Sequence, residues 1–103
     1  MKNEKVPLKE VASYIKRGVT PKYVNDEGIC VLNQKCIRNG RVSFEQSRLT
    51  DTNTRINEEK ILKNGDILIN STGTGTLGRT AQFYYTNGIE KAIVDTHITI
   101  LRP

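Results

Sequence analysis

The chain is short of the residues that build metal sites and disulfide frameworks. Its 103 residues include two cysteines, one histidine and no tryptophan. Cys30 and Cys36 lack the C-x-x-C spacing, and a structural zinc ion needs about four ligands at characteristic spacing. The sequence therefore predicts neither a metal site nor a cofactor.

Long apolar runs are also missing. No stretch approaches the roughly 18 residues of a transmembrane helix. The N-terminus, Met-Lys-Asn-Glu-Lys, does not resemble a signal peptide. We therefore expect a cytoplasmic protein with reduced thiols and no membrane partner.

Apolar and aromatic residues are sparse, at 36% and 6% of the chain, which predicts one small domain with a modest core. The formal net charge is +5. A basic balance of this kind is compatible with a polyanionic partner, usually nucleic acid. Ordinary solubility charge accounts for it equally well.

A short N-terminal helix is predicted over Leu8–Arg17, with Pro7 at its start and Gly18 at its end. Apolar residues recur there at helical spacing, at Leu8, Val11, Ala12 and Ile15. A second short helix, capped by Asn57, is predicted through Leu62 and ends at Asn64-Gly65.

The rest of the chain is β-like. Strands are predicted at 29–32, 41–44, 66–71, 79–85, 92–94 and 97–101. Asn39-Gly40 is a turn signal, and Asn87-Gly88 is the strongest short hairpin signal in the chain. The fold class expected is α+β, one small domain of mainly antiparallel or mixed strands with a short N-terminal helix.

The segment from Gly73 to Gly78 fits the G-x-G-x-x-G pattern of dinucleotide sites. That pattern must open a helix whose N-terminus holds the pyrophosphate. Here the residues from Arg79 to Tyr85 are β-type and carry no helical stripe. We therefore expect a turn between antiparallel strands, and an alternative is a loop around Thr74 and Arg79 that lets a phosphate chain approach closely.

Cations and amides that suit DNA are concentrated between positions 34 and 41. Arginine and lysine pair with guanine or grip phosphate, while asparagine and glutamine pair with adenine. The candidate residues in this segment are Gln34, Lys35, Arg38, Asn39 and Arg41. A second candidate contact is Lys22 beside Tyr23. The alternative for the first segment is a solvated turn between strands, and the alternative for the second is a plain helix-to-strand connection.

No catalytic set can be assembled from the sequence. His97 alternates with Ile98 and Ile100, which favours a structural role, and no nucleophile and base can be paired with it. Asp66 and Asp95 precede predicted strands, where turn or capping roles are the default. We expect the chain not to be an enzyme.

The order of several segments resembles the target-recognition domain of type I restriction-modification specificity subunits. The motifs that carry the resemblance are Gly18-Val19-Thr20-Pro21, Val31-Leu32-Asn33-Gln34, residues 61–68, Gly75-Thr76-Leu77-Gly78-Arg79 and residues 95–103. Each motif is weak alone, but together they span nearly the whole chain. The resemblance implies that residues 1–103 form part of such a domain, without the long helical spacer.

In that family the domain reads one half of a bipartite DNA site and leaves catalysis to other subunits. The resemblance therefore implies double-stranded DNA, methyltransferase subunits and restriction subunits as partners. The subunits dock through the spacer, which has no counterpart here. An alternative function is a small protein-interaction or regulatory module that mimics or competes with a full specificity subunit.

The glycine-rich pattern leads to a direct test. We expect that NAD, ATP and S-adenosylmethionine do not bind the isolated chain, because no helix is predicted to follow Gly78. Isothermal titration calorimetry checks this expectation. Stoichiometric binding of any of the three in the micromolar range would contradict it.

Overall fold

The chain folds mainly as β-sheet. The computed structural model describes residues 14–72, 77–86 and 88–102. In chain order its strands are β1 (Tyr14–Arg17), β2 (Tyr23–Val24), β3 (Gly28–Leu32), β4 (Ile37–Arg38), β5 (Arg41–Val42), β6 (Arg48–Asp51), β7 (Ile67–Asn70), β8 (Thr80–Gln82), β9 (Ala92–Val94) and β10 (Ile98–Arg102). Helical structure in these ranges is confined to three-residue 3-10 turns at Gln34–Cys36, Phe44–Gln46 and Glu58–Lys60. The expected α+β class is therefore wrong.

The strands form two four-stranded sheets and a separate hairpin. The first sheet has the order β1-β10-β7-β8 and is antiparallel throughout. The second has the order β2-β6-β3-β9, antiparallel except for the parallel pair β3 and β9. Strands β4 and β5 pair with each other. The expectation of mainly antiparallel or mixed strands agrees with this arrangement.

The predicted N-terminal helix is wrong where the structure describes it. Residues Tyr14–Arg17 form β1 and pair with β10 from Arg102 back to Thr99. The backbone groups of this segment bond to a sheet edge, and this tertiary pairing overrides the helical spacing of the apolar residues. The earlier part of the predicted helix lies outside the described residues.

Two further expectations about local structure need correction. Asn57 does cap a turn, because its side chain accepts a hydrogen bond from the Glu59 amide at 3.0 Å, but only one 3-10 turn follows. The chain straightens at Ile61 so that the Leu62 amide donates to the Ala92 carbonyl at 2.9 Å. Strands β2, β4 and β6 were not predicted, since none of them carries a clear apolar alternation.

The two Asn-Gly signals have different outcomes. Asn39 and Gly40 both have positive φ, 52° and 75°, and connect β4 to β5 as a two-residue hairpin. Gly88 lies in a turn in which the Ile89 amide donates to the Thr86 carbonyl, but the flanking strands β8 and β9 belong to different sheets. The hairpin predicted at Asn87-Gly88 is therefore wrong, because each strand finds its partner elsewhere.

One core lies between the sheets and the hairpin. Phe83 is fully buried and makes edge-to-face contacts with Phe44 and Tyr85, at centroid distances of 6.1 and 4.7 Å. Both cysteines are free and buried in this core. Burial raises the pKa of the Cys36 thiol to about 11, so it stays protonated and serves as a packing residue.

Arg102 and Asp66 join β10 to the start of β7 at one end of the first sheet. The guanidinium donates to both carboxylate oxygens at 2.8 Å and also to the carbonyls of Glu59 and Ile61. The Asp66 side chain is 1% exposed, so this bidentate ion pair satisfies a carboxylate that is removed from water. The role of this ion pair is to hold the strands together at this end of the first sheet.

Two connections between the sheets meet at Gly18. The chain leaves β1 through Gly18, whose amide donates to the Ile98 carbonyl at 3.1 Å, and the Val19 amide then donates to the Val94 carbonyl at 2.8 Å. A Cβ atom on Gly18 would lie 2.1 Å from the Val94 carbonyl oxygen. Gly18 is therefore required for close backbone approach and not as a helix terminator.

No helix within the described ranges is long and apolar enough to cross a membrane.

Replacing Gly18 tests this close contact. The substitution Gly18→Ala should destabilise the fold by about 1–3 kcal/mol or more, because the methyl group overlaps backbone that cannot rotate away. Thermal and urea denaturation measure the change. Thr20→Ala, two residues along the same connection and exposed, is the control. A loss below about 0.5 kcal/mol, typical of a neutral surface change, would contradict this account.

Candidate nucleic-acid interface

The connections at one end of both sheets converge on a single face. Strands β3, β7 and β9 end there, and β8 and β10 begin there. Backbone hydrogen bonds join these ends, from Asp95 to Leu32, from Asn70 to Arg79 and from Ser71 to His97, at 2.8–3.1 Å. Segments that are far apart in sequence are thus held next to one another.

The β4–β5 hairpin carries two of the predicted arginines. Arg38 and Arg41 are direct cross-strand partners on either side of the Asn39-Gly40 turn, and both are exposed. Neither forms an ion pair with a described residue. Like charges placed directly opposite each other on a hairpin destabilise it. A bound anion would offset that cost.

The hairpin concavity is the surface depression lined by Arg38, Asn39, Gly40, Arg79 and Thr80. It brings together three predicted site residues from two segments, Arg38 and Asn39 from the hairpin and Arg79 from the glycine-rich connection. Arg79 is fixed at the base of that connection, because its carbonyl accepts the Asn70 amide at 2.8 Å. Its side chain is exposed beside the hairpin.

The glycine-rich connection joins two antiparallel strands. Residues 71–79 link β7 to β8, and a strand and not a helix follows Gly78, as expected. Gly78 has a φ of 88° and donates to the Asn70 carbonyl at 2.8 Å. Thr74, the remaining predicted contact of this connection, lies outside the described residues.

The Tyr23 concavity is a second depression on the same face, with a volume of about 380 Å³. It is lined by Tyr23, Asn33, Gln34, Lys35, Glu45, Gln46, Ser47, Arg48, Asp95 and His97. Three predicted site residues, Tyr23, Gln34 and Lys35, therefore meet here. The structure thus places six of the nine predicted residues in two depressions, while Lys22 and Arg41 line neither.

The turn that presents Gln34 and Lys35 is fixed by hydrogen bonds. The Asn33 side chain accepts from the Lys35 amide at 2.9 Å and donates to the Gln46 carbonyl at 2.9 Å. The buried Asn70 side chain donates to the Gln34 carbonyl at 3.2 Å, which ties this turn to the end of β7. The backbone beneath Gln34 and Lys35 is thus set before any ligand arrives.

Lys22 is the neighbour of Tyr23 in the chain but lies outside both concavities. Its amide donates to the Thr50 hydroxyl at 2.8 Å, and its carbonyl accepts from the same hydroxyl at 3.2 Å. The backbone is thereby fixed, while the side chain is exposed and lines neither concavity. The structure does not bring Lys22 together with the other predicted site residues.

Arg48 is a residue of this face that sequence analysis missed. Its guanidinium carbon lies 3.7 Å from the centroid of the Tyr23 ring, in cation–π contact. Arg48 comes from β6, a strand that was not predicted. Its proximity to Tyr23 depends on the pairing of β2 with β6, so no local sequence signal indicates it.

His97 and Asp95 also belong to the Tyr23 concavity. His97 was expected to be structural, and its Nδ1 does lie 2.6 Å from the Thr72 hydroxyl, but its ring is exposed. Asp95 has the capping role expected of it, because Oδ1 accepts the His97 amide at 2.9 Å. Burial raises the pKa of the Asp95 carboxyl, and the hydrogen bond from His97 opposes that rise.

Within the described ranges, no group of three or more histidine, cysteine, aspartate or glutamate side chains is placed to hold a metal ion. Comparison with protein-family models finds no match, and comparison with curated proteins finds none either.

The raised pKa of Asp95 predicts a dependence of stability on pH. A buried carboxyl with a pKa above its ordinary value of 3.8 binds a proton more readily in the folded chain than in the unfolded chain. Stability from this group is therefore present at low pH and lost as pH rises through the folded pKa. Asp95→Asn keeps the acceptor for the His97 amide and removes the buried charge. We expect the variant to gain thermal stability relative to wild type as pH rises from about 3 to 7.

Asp51→Asn is the matched control, because the Asp51 carboxylate accepts the Asn53 amide at 2.8 Å in the same kind of turn but is less buried. Its melting temperature should follow wild type at every pH. If Asp95→Asn instead loses stability relative to wild type as pH rises, the carboxylate charge stabilises the fold and the assignment is wrong.

Proposed function

We propose that this chain recognises double-stranded DNA in a sequence-specific manner, without catalysing a reaction, as the specificity component of a type I restriction-modification complex in the cytoplasm. The observation that carries the proposal is the hairpin concavity. There Arg38, Asn39 and Arg79 converge from segments about forty residues apart in sequence, on a surface with no ion-pair partner among the described residues.

The charges of this face suit a polyanion. Its cations are Lys35, Arg38, Arg41, Arg48 and Arg79, and its carboxylates are Glu45 and Asp95. Cations bind DNA by neutralising phosphates and releasing counterions. An even distribution of charge would favour a protein-interaction module, and this concentration on one face favours DNA instead.

The arrangement also suits recognition rather than mere attraction. A two-residue hairpin is narrow and rigid, and its tip carries arginines that can pair with guanine beside an asparagine that can pair with adenine. Arg79 lies beside the hairpin and Lys22 precedes Tyr23 in the chain, and phosphate contacts made by these two cations would orient the protein on the duplex. Methyltransferase and restriction subunits are the further partners that the resemblance adds to this proposal.

Salt dependence provides the first test. We expect the isolated chain to bind duplex DNA with a dissociation constant of about 10⁻⁴–10⁻⁶ M at physiological salt, and the affinity to fall steeply as salt rises. Fluorescence anisotropy with a pool of randomised duplexes, followed by sequencing of the bound fraction, measures both affinity and preference. An affinity that stays constant from low to moderate salt would show that the electrostatic surface has been misidentified.

Single alanine variants separate base contacts from phosphate contacts. If Arg38 or Arg41 reads a base, its replacement should cost about 1–3 kcal/mol on the preferred sequence and relax the preference at one position. Replacement of Arg79 or Lys22 should weaken binding to all sequences about equally and flatten the salt slope. Titration of each variant against preferred and scrambled duplexes distinguishes the two patterns.

Lys91→Ala is the matched control, because it removes an equal charge next to the start of β9, at the other end of that strand from Asp95. It should bind both duplexes as wild type does, apart from a small general loss of charge. Unchanged binding by all four site variants would rule out this face as the interface.

A further inference from the structure

We propose that the Tyr23 concavity holds one unstacked base of the bound DNA, a base that carries an exocyclic amino group. The inference rests on the proposed function, because the base belongs to a strand that the cations of the face have already bound. The Tyr23 concavity would therefore hold a single base, whereas the hairpin concavity would face the paired duplex.

The stacking surface is the Arg48 guanidinium. The guanidinium lies in van der Waals contact with the Tyr23 ring, at 3.7 Å from its centroid, so the ring supports one side of it. Bases that leave a helical stack are commonly held on aromatic rings or on arginine planes. An arginine already supported by an aromatic ring has less side-chain freedom to lose when a base stacks on it.

The volume of the concavity and its chemistry agree with a single base. At about 380 Å³ it falls within the roughly 300–1,000 Å³ of small-ligand sites, and its lining is mainly polar side chains that donate or accept hydrogen bonds. Glu45 and Asp95 contribute carboxylates, so a bare phosphate fits this depression less well than it fits the hairpin concavity, where no carboxylate lines the wall.

Hydrogen-bond acceptors in the wall select the kind of base. Glu45 contributes an exposed carboxylate to this wall. The amide of Asn33, by contrast, is engaged on both of its atoms. Asp95 uses one carboxylate oxygen for the His97 amide and retains further acceptor capacity. Such acceptors suit the exocyclic amino group of adenine, cytosine or guanine better than they suit thymine, whose one donor is the ring N3–H.

The test compares a fully paired duplex with duplexes of the same sequence that carry one bulged adenine or one bulged thymine. We expect wild type to bind the adenine bulge about tenfold more tightly than the paired duplex, since stacking of one base has an effect of this order. The thymine bulge should gain less. A bulged 2-aminopurine, fluorescent when it leaves the helix, should change its emission on binding.

Two conservative exchanges isolate stacking from charge. Arg48→Lys keeps the positive charge but removes the plane, so it should lower the ratio of bulge affinity to paired affinity toward one. Tyr23→Phe keeps the ring and should retain the ratio, while Tyr23→Leu should lose it. Arg79→Lys makes the arginine-to-lysine exchange in the hairpin concavity and should leave the ratio unchanged whatever it does to each affinity.

The outcomes separate this inference from the proposed function. If wild type binds all duplexes in a salt-dependent manner but its ratio of bulge affinity to paired affinity is near one, the base site is overturned and the DNA proposal stands. No binding to any duplex overturns both. If free 2-aminopurine deoxyribonucleotide competes as strongly as the bulged duplex, the concavity is a nucleotide site and its assignment to DNA is overturned.

Discussion

Close backbone contact at Gly18 is the constraint on which the arrangement of the two sheets depends. The chain passes between the sheets twice on this side, from β1 to β2 and from β9 to β10, and the two connections lie against each other with no room for a side chain. Backbone hydrogen bonds to Ile98 and Val94 satisfy the groups that are buried there. Without this contact the sheets would have to separate or shift, and the shared core would be exposed.

The candidate face is a consequence of the same contact. The first connection leads into Tyr23, and the second contains Asp95 and His97, so packing one connection on the other brings these three residues together. The hairpin and the glycine-rich connection emerge at the same end of the molecule because β3 and β7 also finish there. Core residues hold the strands, and the connections are left to contact a ligand.

The arginines at the two ends of the molecule differ in whether the fold neutralises their charge. Arg102 is engaged by a buried carboxylate and two carbonyl groups, so its donors are committed to the fold. Arg38, Arg41 and Arg79 are exposed and form no ion pair among the described residues. A positive charge that the fold does not neutralise is available to a polyanion, and its attraction will weaken as salt rises.

Sequence alone determined the positions of most strands, the hairpin turn at Asn39-Gly40, the cap at Asn57 and the residue types that suit DNA. These follow from local physics, namely apolar alternation, turn conformation and side-chain chemistry. Tertiary structure decided the rest. It converted Tyr14–Arg17 from a predicted helix into an edge strand, assigned β8 and β9 to different sheets across Gly88, and brought Arg48 to Tyr23. Each of these outcomes depends on hydrogen bonds between segments far apart in the chain, which no local pattern encodes.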